Sequence, residues 1–292
     1  MYKKPIVIAE IGCNHMGDIN IAKQMIEIAS YFCNADIIKF QKRTPSEVLT
    51  IEEYNSPHPV PENSFGKTYG EHREFLEFTV NQHKELMAEC RKLGKAYSCS
   101  VWDLTAAKEI CSISPDIIKI PSACSNYFEL LDYILENFKG EIHLSLGTTT
   151  TKEREEIVNY FQKKGRNKDL VLYHCISGYP VTFEDICLLE IKKLKEEYGD
   201  IVKDIGFSGH HLGIAIDVAA YTLGAGYIER HFTLDRTWKG TDHAASLEPD
   251  GLRKLVRNLN ATYTSLNYKP KDLLDVELEQ KKKLKWNKNL RL

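Results

Sequence analysis

Short apolar runs alternate with amphipathic stretches almost from one end of this chain to the other, and that alternation limits the folds open to it. The runs fall at 5–10, 36–41, 95–100, 116–120, 142–146, 170–175, 203–208 and 227–231. Apolar residues recur at helical spacing over 18–33, 81–93, 103–113, 126–137, 151–164, 183–197, 212–223 and 250–265. Short apolar runs are what strands buried on both faces require, and strand–helix repetition implies a parallel sheet. Eight strands, each followed by a helix, is the count of an α/β (β/α)8 TIM barrel. A doubly wound open sheet is the alternative, but no G-x-G-x-x-G follows the first strand, so a dinucleotide fold finds no support. Helix starts are expected at Asn81, at Ser125 and Asn126, and at Thr151. The segment 42–80, rich in Pro, Ser, Gly and His, is too long for a plain connection and reads as a functional loop.

A chain of 292 residues suits one such barrel, and its net charge of −2 exerts no general pull toward nucleic acid or membrane. No stretch approaches the roughly 18 apolar residues of a spanning helix, and the first apolar run is too short for a signal peptide. The eight cysteines are scattered without a C-x-x-C pair, so reduced thiols in a cytoplasmic protein are expected. The division expected is a barrel over 1–268 and a basic, polar tail over 269–292, solvated and helical or frayed.

The polar residues at the ends of the apolar runs carry the functional signal. They are Glu10, Lys39 and Gln41, Ser100, Lys119 and Ser122, Ser177 and Tyr179, Ser208 and His210, then Glu229 and His231. In a barrel these ends converge on one mouth, where the chemistry of such folds is placed. Lys39 and Lys119 are flanked by apolar neighbours, and a buried ammonium costs several kcal/mol unless an anion answers it. Two such lysines with serine hydroxyls nearby suggest an anionic ligand carrying phosphate and carboxylate; salt bridges internal to the barrel are the plain alternative. His210 and His231 end adjacent strands and form the expected metal pair, leaving coordination positions open for Lewis-acid chemistry. Satisfied core histidines are the competing reading, with His15, His211 and His243 close in sequence.

These residues also carry a family resemblance. Glu10-Ile11-Gly12-Cys13-Asn14-His15-Met16-Gly17 resembles the opening motif of sialic acid (nonulosonate) synthases, followed by Lys39 and Gln41 in a K-x-Q. Lys119-Ile120-Pro121-Ser122, Tyr179-Pro180, Gly206-Phe207-Ser208-Gly209-His210 and Glu229-Arg230-His231-Phe232-Thr233 follow in the family's order. The resemblance implies a barrel that condenses phosphoenolpyruvate with an aldose of the N-acetylmannosamine or mannose type and releases phosphate by C–O cleavage. It implies phosphoenolpyruvate on Lys39, Ser100, Lys119, Ser122, Ser177 and Ser208, and catalytic parts for Glu10, Lys39 and Lys119. It implies sugar contacts from Gln41, Tyr179 and Asp242, a divalent cation (Mn or Mg) on His210 and His231, and a homodimer.

The segments 65–72 and 234–243 resemble the animal branch, which takes a hexosamine 6-phosphate. On that reading Lys67, His72, Arg73 and Lys239 supply cationic donors for a second phosphate. Two departures stand out. Cys124 replaces the acidic residue usual after the K-I-x-S motif, and nothing corresponds to the family's small antifreeze-like C-terminal domain. A related synthase taking a shorter aldose and a non-catalytic sugar-binding barrel are the alternatives.

Overall fold

The computed structural model describes residues 2–178 and 180–286. Its strands are β1 (Ile6–Gly12), β2 (Ile37–Lys42), β3 (Ala96–Val101), β4 (Ile117–Ile120), β5 (Glu141–Ser145), β6 (Leu170–Cys175), β7 (Asp204–Gly209) and β8 (Tyr227–His231). All neighbours pair in parallel, and β1 pairs with β8 from Ile6↔Tyr227 to Glu10↔His231, so the sheet closes. That closure excludes the doubly wound alternative. The surrounding helices are α1 (Ile19–Glu27), α2 (Val80–Lys92), α3 (Leu104–Ser112), α4 (Phe128–Asn137), α5 (Thr151–Lys163), α6 (Leu189–Tyr198), α7 (Ala215–Thr222) and α8 (Pro249–Ser265).

The period of two divides each strand between two cores. Ile38, Phe40, Ile118, Ile120, Leu172 and Ile228 belong to the larger core, with Leu86, Ile110, Ile134 and Leu252 of the helices. Ile8, Ile37, Ile117, Val171, Tyr173 and Tyr227 form a second, smaller core. Burying each such side chain contributes about 1.5–3 kcal/mol, and both cores are needed to keep the eight ends in register.

Two helix starts, at α2 and α4, differ from expectation, and α5 opens at Thr151 as expected. Thr79 accepts from the backbone N–H of Gln82, whose side chain answers the Thr79 N–H, so α2 begins one residue early. Thr150 and Glu153 form the same box at α5. No side chain caps α4, which starts after Tyr127. The stretch expected as helix from 183 is interrupted by a left-handed Cys187 (φ 51°), so α6 begins only at Leu189. After Glu27 the first helix widens into a π turn, Ile28–Phe32, with Cys33 N–H on the Ile28 carbonyl at 3.0 Å.

The segment 42–80 is folded. Short helices Pro45–Val48, Ile51–Asn55 and Tyr69–Phe75 are joined by tight turns, and two of them open with capping boxes, Thr50 with Glu53 and Thr68 with Glu71. Phe65 stacks on Phe75 (ring centroids 5.1 Å apart), and Gly240 N–H donates to Asn63 Oδ1 at 3.3 Å, tying this cap to the loop after β8. In the tail, Asp275–Leu284 is helical with no buried residue, as a solvated segment should be; residues 287–292 lie outside the described part. Among the described residues no helix is long and apolar enough to cross a membrane.

Candidate active site

The strand register lifts the charged residues to one level. Glu10 pairs with Lys39 across β1 and β2, Ser100 with Lys119 across β3 and β4, and Ser208 with Glu229 across β7 and β8. Lys39 Nζ lies 2.8 Å from Glu10 Oε2 and 3.5 Å from Glu229 Oε1, and donates to Ser100 Oγ at 2.9 Å. Lys119 Nζ lies 3.3 Å from Glu229 Oε2 and 3.6 Å from the centre of the Tyr173 ring. Ser208 Oγ donates to Glu229 Oε1 at 3.0 Å. The salt bridges weighed from the sequence are therefore real, and Glu229 is their hub.

All four charged side chains are at least 95% buried: Glu10 is 1% exposed, Lys39 4%, Lys119 2% and Glu229 5%. Two ammoniums and two carboxylates make the group neutral as a whole. Burial opposes the Glu229 charge, yet Lys119 and Lys39 outweigh it and hold the carboxyl well below its usual range. Burial also lowers the pKa of both lysines. For Lys39 the two carboxylates reverse the shift, whereas for Lys119 burial prevails.

Ser122 and Ser177 meet elsewhere on the rim. A side chain at Gly147 would strike Ser177 Oγ at 2.4 Å and Ser122 Oγ at 2.6 Å, so only glycine lets those hydroxyls converge. The Cys175 thiol, within hydrogen-bonding reach of both Ser122 and Ser208, joins that rim to the lysine cluster. Gln41 Nε2 donates to Glu10 Oε1 at 2.7 Å.

The rings of His210 and His231 are 5.5 Å apart. His210 Nδ1–H donates to the Ile176 carbonyl at 3.1 Å, which leaves Nε2 as the basic nitrogen. Burial first, then His231, presses the His210 pKa down to about 3, so the ring is a neutral imidazole. Asp242 Oδ2 lies 4.0 Å from His231 Nδ1. Burial would raise the Asp242 pKa, but the His231, Arg43 and Arg73 charges bring it below its usual value. Among the described residues no three His, Cys, Asp or Glu side chains converge closely enough to enclose a metal ion. The competing histidines are structural: His15 stacks on Phe78 (4.0 Å), His211 contacts the buried Arg230 and Asp217, and His243 meets Thr233.

Tyr179 lies outside the described residues. Of the four cations expected to meet a second phosphate, Lys67 is exposed and the other three are placed as follows. His72 is fully buried, with Nδ1 accepting the Phe65 N–H at 3.1 Å, and Lys239 rests over the Phe65 ring. Only Arg73 of that set lines the cavity of about 580 Å³ beside the mouth, together with Arg43, Tyr69, Trp102 and Cys124. Cys124 donates its thiol to the Trp102 carbonyl at 3.2 Å, and burial raises its pKa to about 11, so it stands there as a neutral group.

Gly147 and Arg43 are the site members that strand-end reasoning passed over, and Glu229, named among the strand ends, was given no part in the chemistry. A charged residue flanked by apolar ones singled out the lysines, and Tyr227-Ile228-Glu229 shows the same signal.

Against known proteins, the NeuB family model matches residues 25–271. The chain is 38% identical over 278 residues to N-acetylneuraminate-9-phosphate synthase of Mus musculus, covering 95% of this chain and 76% of that one. It is 35% identical over 258 residues to N,N'-diacetyllegionaminic acid synthase of Campylobacter jejuni, covering 88% and 76%. Among solved structures, N-acetylneuraminic acid synthetase of Leptospira borgpetersenii, in complex with citrate, superposes with a TM-score of 0.80 at 30% identity, covering 97% of this chain and 93% of that one. With the match running across the barrel and its mouth, the chain belongs to the NeuB family.

Proposed function

We propose that this protein is a nonulosonate synthase, an enzyme that joins phosphoenolpyruvate to an N-acetylmannosamine- or mannose-type aldose and releases inorganic phosphate. The observation that carries the reading is the buried Glu10–Lys39–Glu229–Lys119 cluster, bordered by Ser100 and Ser208, at the mouth of a NeuB-family barrel. The residues do the following. Lys39 and Lys119, with Ser100, Ser122, Ser177 and Ser208, hold the phosphate and carboxylate in a site whose dryness strengthens each contact. The C3 carbon of phosphoenolpyruvate forms the new bond to the aldehyde carbon, water adds at C2, and the C2–O bond to phosphate breaks. Glu10 orients that water or takes its proton. Gln41, Asp242 and Tyr179 hold sugar hydroxyls and so select the aldehyde face presented.

The donor set fits a divalent cation. His210 and His231 are neighbouring imidazoles, and the neutral lysine–carboxylate cluster has no spare positive charge for an incoming anion. His210 and His231 would hold a Mn or Mg ion, which would supply that charge and Lewis acidity toward the aldehyde oxygen. The eight free thiols suit a cytoplasmic protein. We assign residues 1–268 to the synthase barrel and 269–292 to an appended tail, and expect a homodimer; light scattering that finds only monomer at micromolar concentration rejects the dimer.

The deciding assay follows phosphate release from phosphoenolpyruvate with added Mn and a panel of N-acetylmannosamine, mannose and their 6-phosphates. Release that depends on an aldose, one phosphate per new carbon–carbon bond, is expected. Release that no aldose stimulates overturns the synthase reading. With Arg73 lining the cavity beside the mouth, comparing kcat/KM between each sugar and its ester decides which form is used.

A further inference from the structure

Arg43 stands just past the end of β2, two residues beyond Gln41, and the reaction as described gives it no part. It is 7% exposed, and its guanidinium lies over the Trp102 ring with its carbon 4.2 Å from the ring centre. Nη1 donates to Cys13 Sγ at 3.4 Å and lies 3.7 Å from Glu77 Oε1, while the Arg43 backbone N–H donates to Glu77 Oε2 at 2.8 Å. Nη2 donates to Gln41 Oε1. The Gln41 Nε2 donates in turn to Glu10 Oε1, and Glu10 Oε2 is paired with Lys39. One continuous chain therefore runs from Arg43 through Gln41 to the acid at the reacting centre.

The two ends of a glutamine amide have nearly the same shape, and only their partners distinguish them. A guanidinium offers only donors, and an ionised carboxylate only acceptors. Between those two neighbours a single orientation satisfies both: carbonyl toward Arg43, amino group toward Glu10. The reverse would face oxygen with oxygen and N–H with N–H, in contacts that are only partly open to solvent.

We infer that Arg43 is a positioning residue, which fixes the Gln41 amide so that its N–H groups, and with them Glu10, are presented to the reacting centre. Trp102 and Glu77 hold the guanidinium in place for that task. The inference rests on the synthase reading for its kinetic consequence, but its structural content stands apart from it.

Arg43→Met keeps an apolar arm over Trp102 and removes the donor. Its kcat/KM for the aldose should fall roughly 10- to 100-fold, the scale seen when a supporting partner is lost, while the KM for phosphoenolpyruvate stays within about twofold. On a Gln41→Ala background the same substitution should add nothing. If Arg43 merely neutralises buried Glu77, the double variant Arg43→Met/Glu77→Gln regains activity, and that recovery overturns the inference. The side-chain amide signals of Gln41, identified by their loss in Gln41→Ala, should shift or coalesce in Arg43→Met. Unchanged signals overturn the inference, even in a protein that turns over no aldose; absence of turnover in the wild type overturns the synthase reading alone.

Discussion

Two polar networks occupy the barrel, and they differ in what they leave open. The first is Lys39, Lys119, Glu10 and Glu229, four formal charges buried together at the strand ends. In the second, His143 Nε2–H donates to Glu141 at 2.8 Å, its Nδ1 accepts the Tyr173 hydroxyl at 2.8 Å, and Lys203 pairs with Glu141. His143 thus has both nitrogens used within the protein, and Tyr173 and Tyr227 are packed against Ile8, Ile37, Ile117 and Val171. The two networks meet where Lys119 rests on the face of Tyr173. Closed hydrogen bonding serves stability, whereas charges gathered at the strand ends retain the capacity to answer a ligand.

The largest effects expected from breaking this contrast are at the rim. His210→Ala and His231→Ala should abolish turnover while leaving thermal unfolding nearly unchanged. A chelator should reproduce the loss, and added divalent cation should restore only the chelated wild type; full activity in metal-stripped protein overturns the assignment. Lys119→Met should cost at least about 10³-fold in kcat, with stability reduced by less than the roughly 3–5 kcal/mol of an orphaned buried charge, because Glu229 keeps Lys39 and Ser208. In the second network the ranking should invert. His143→Leu strands the Tyr173 hydroxyl and the Glu141 carboxylate, and should cost about 1–3 kcal/mol in denaturant unfolding with kcat changed by less than about threefold. A collapse of kcat without loss of stability would mean that the second network also takes part in the chemistry.

The smallest effect is a pH dependence at Glu141. Burial would raise its pKa, but the His143 hydrogen bond and charge, with Lys203, bring it from the ordinary 4.5 down to about 2. A carboxyl depressed in the folded state contributes stability above its unfolded pKa and loses it as pH falls toward the folded value. Wild type should therefore exceed Glu141→Gln by about 1–2 kcal/mol at pH 6, and the gap should close between pH 4.5 and pH 2. A gap independent of pH overturns this account.

The sequence showed the barrel plainly because each strand faces two cores, so runs such as Ile117-Ile118-Lys119-Ile120 are apolar on both faces except where an inward position must be charged. The same logic exposed Lys39 and Lys119, and it applied equally to Glu229. Other features were hidden in principle. Arg43 owes its place to Trp102 and Glu77, which lie on other parts of the chain, and nothing local distinguishes it from a solvated loop arginine. His143 and Tyr173 sit in strands that read as ordinary, and their bond spans 30 residues. The surroundings of the expected second-phosphate cations were hidden for a related reason: His72 stacks on Phe65 and Lys239 lies over the same ring, contacts that no local pattern announces.

The packed second core also has a kinetic consequence. With Ile8, Val171 and Tyr173 fully buried and Ile37, Ile117 and Tyr227 nearly so, the barrel axis is a blind alley rather than a tunnel. Traffic then shares one doorway, and whichever substrate sits deepest must arrive first and leave no earlier than the one above it. On the proposed reading the lysine cluster holds phosphoenolpyruvate at the inner berth, so the expected order of entry is phosphoenolpyruvate before aldose. Product-inhibition patterns read that queue directly; random-order patterns would mean that the wall opens during turnover.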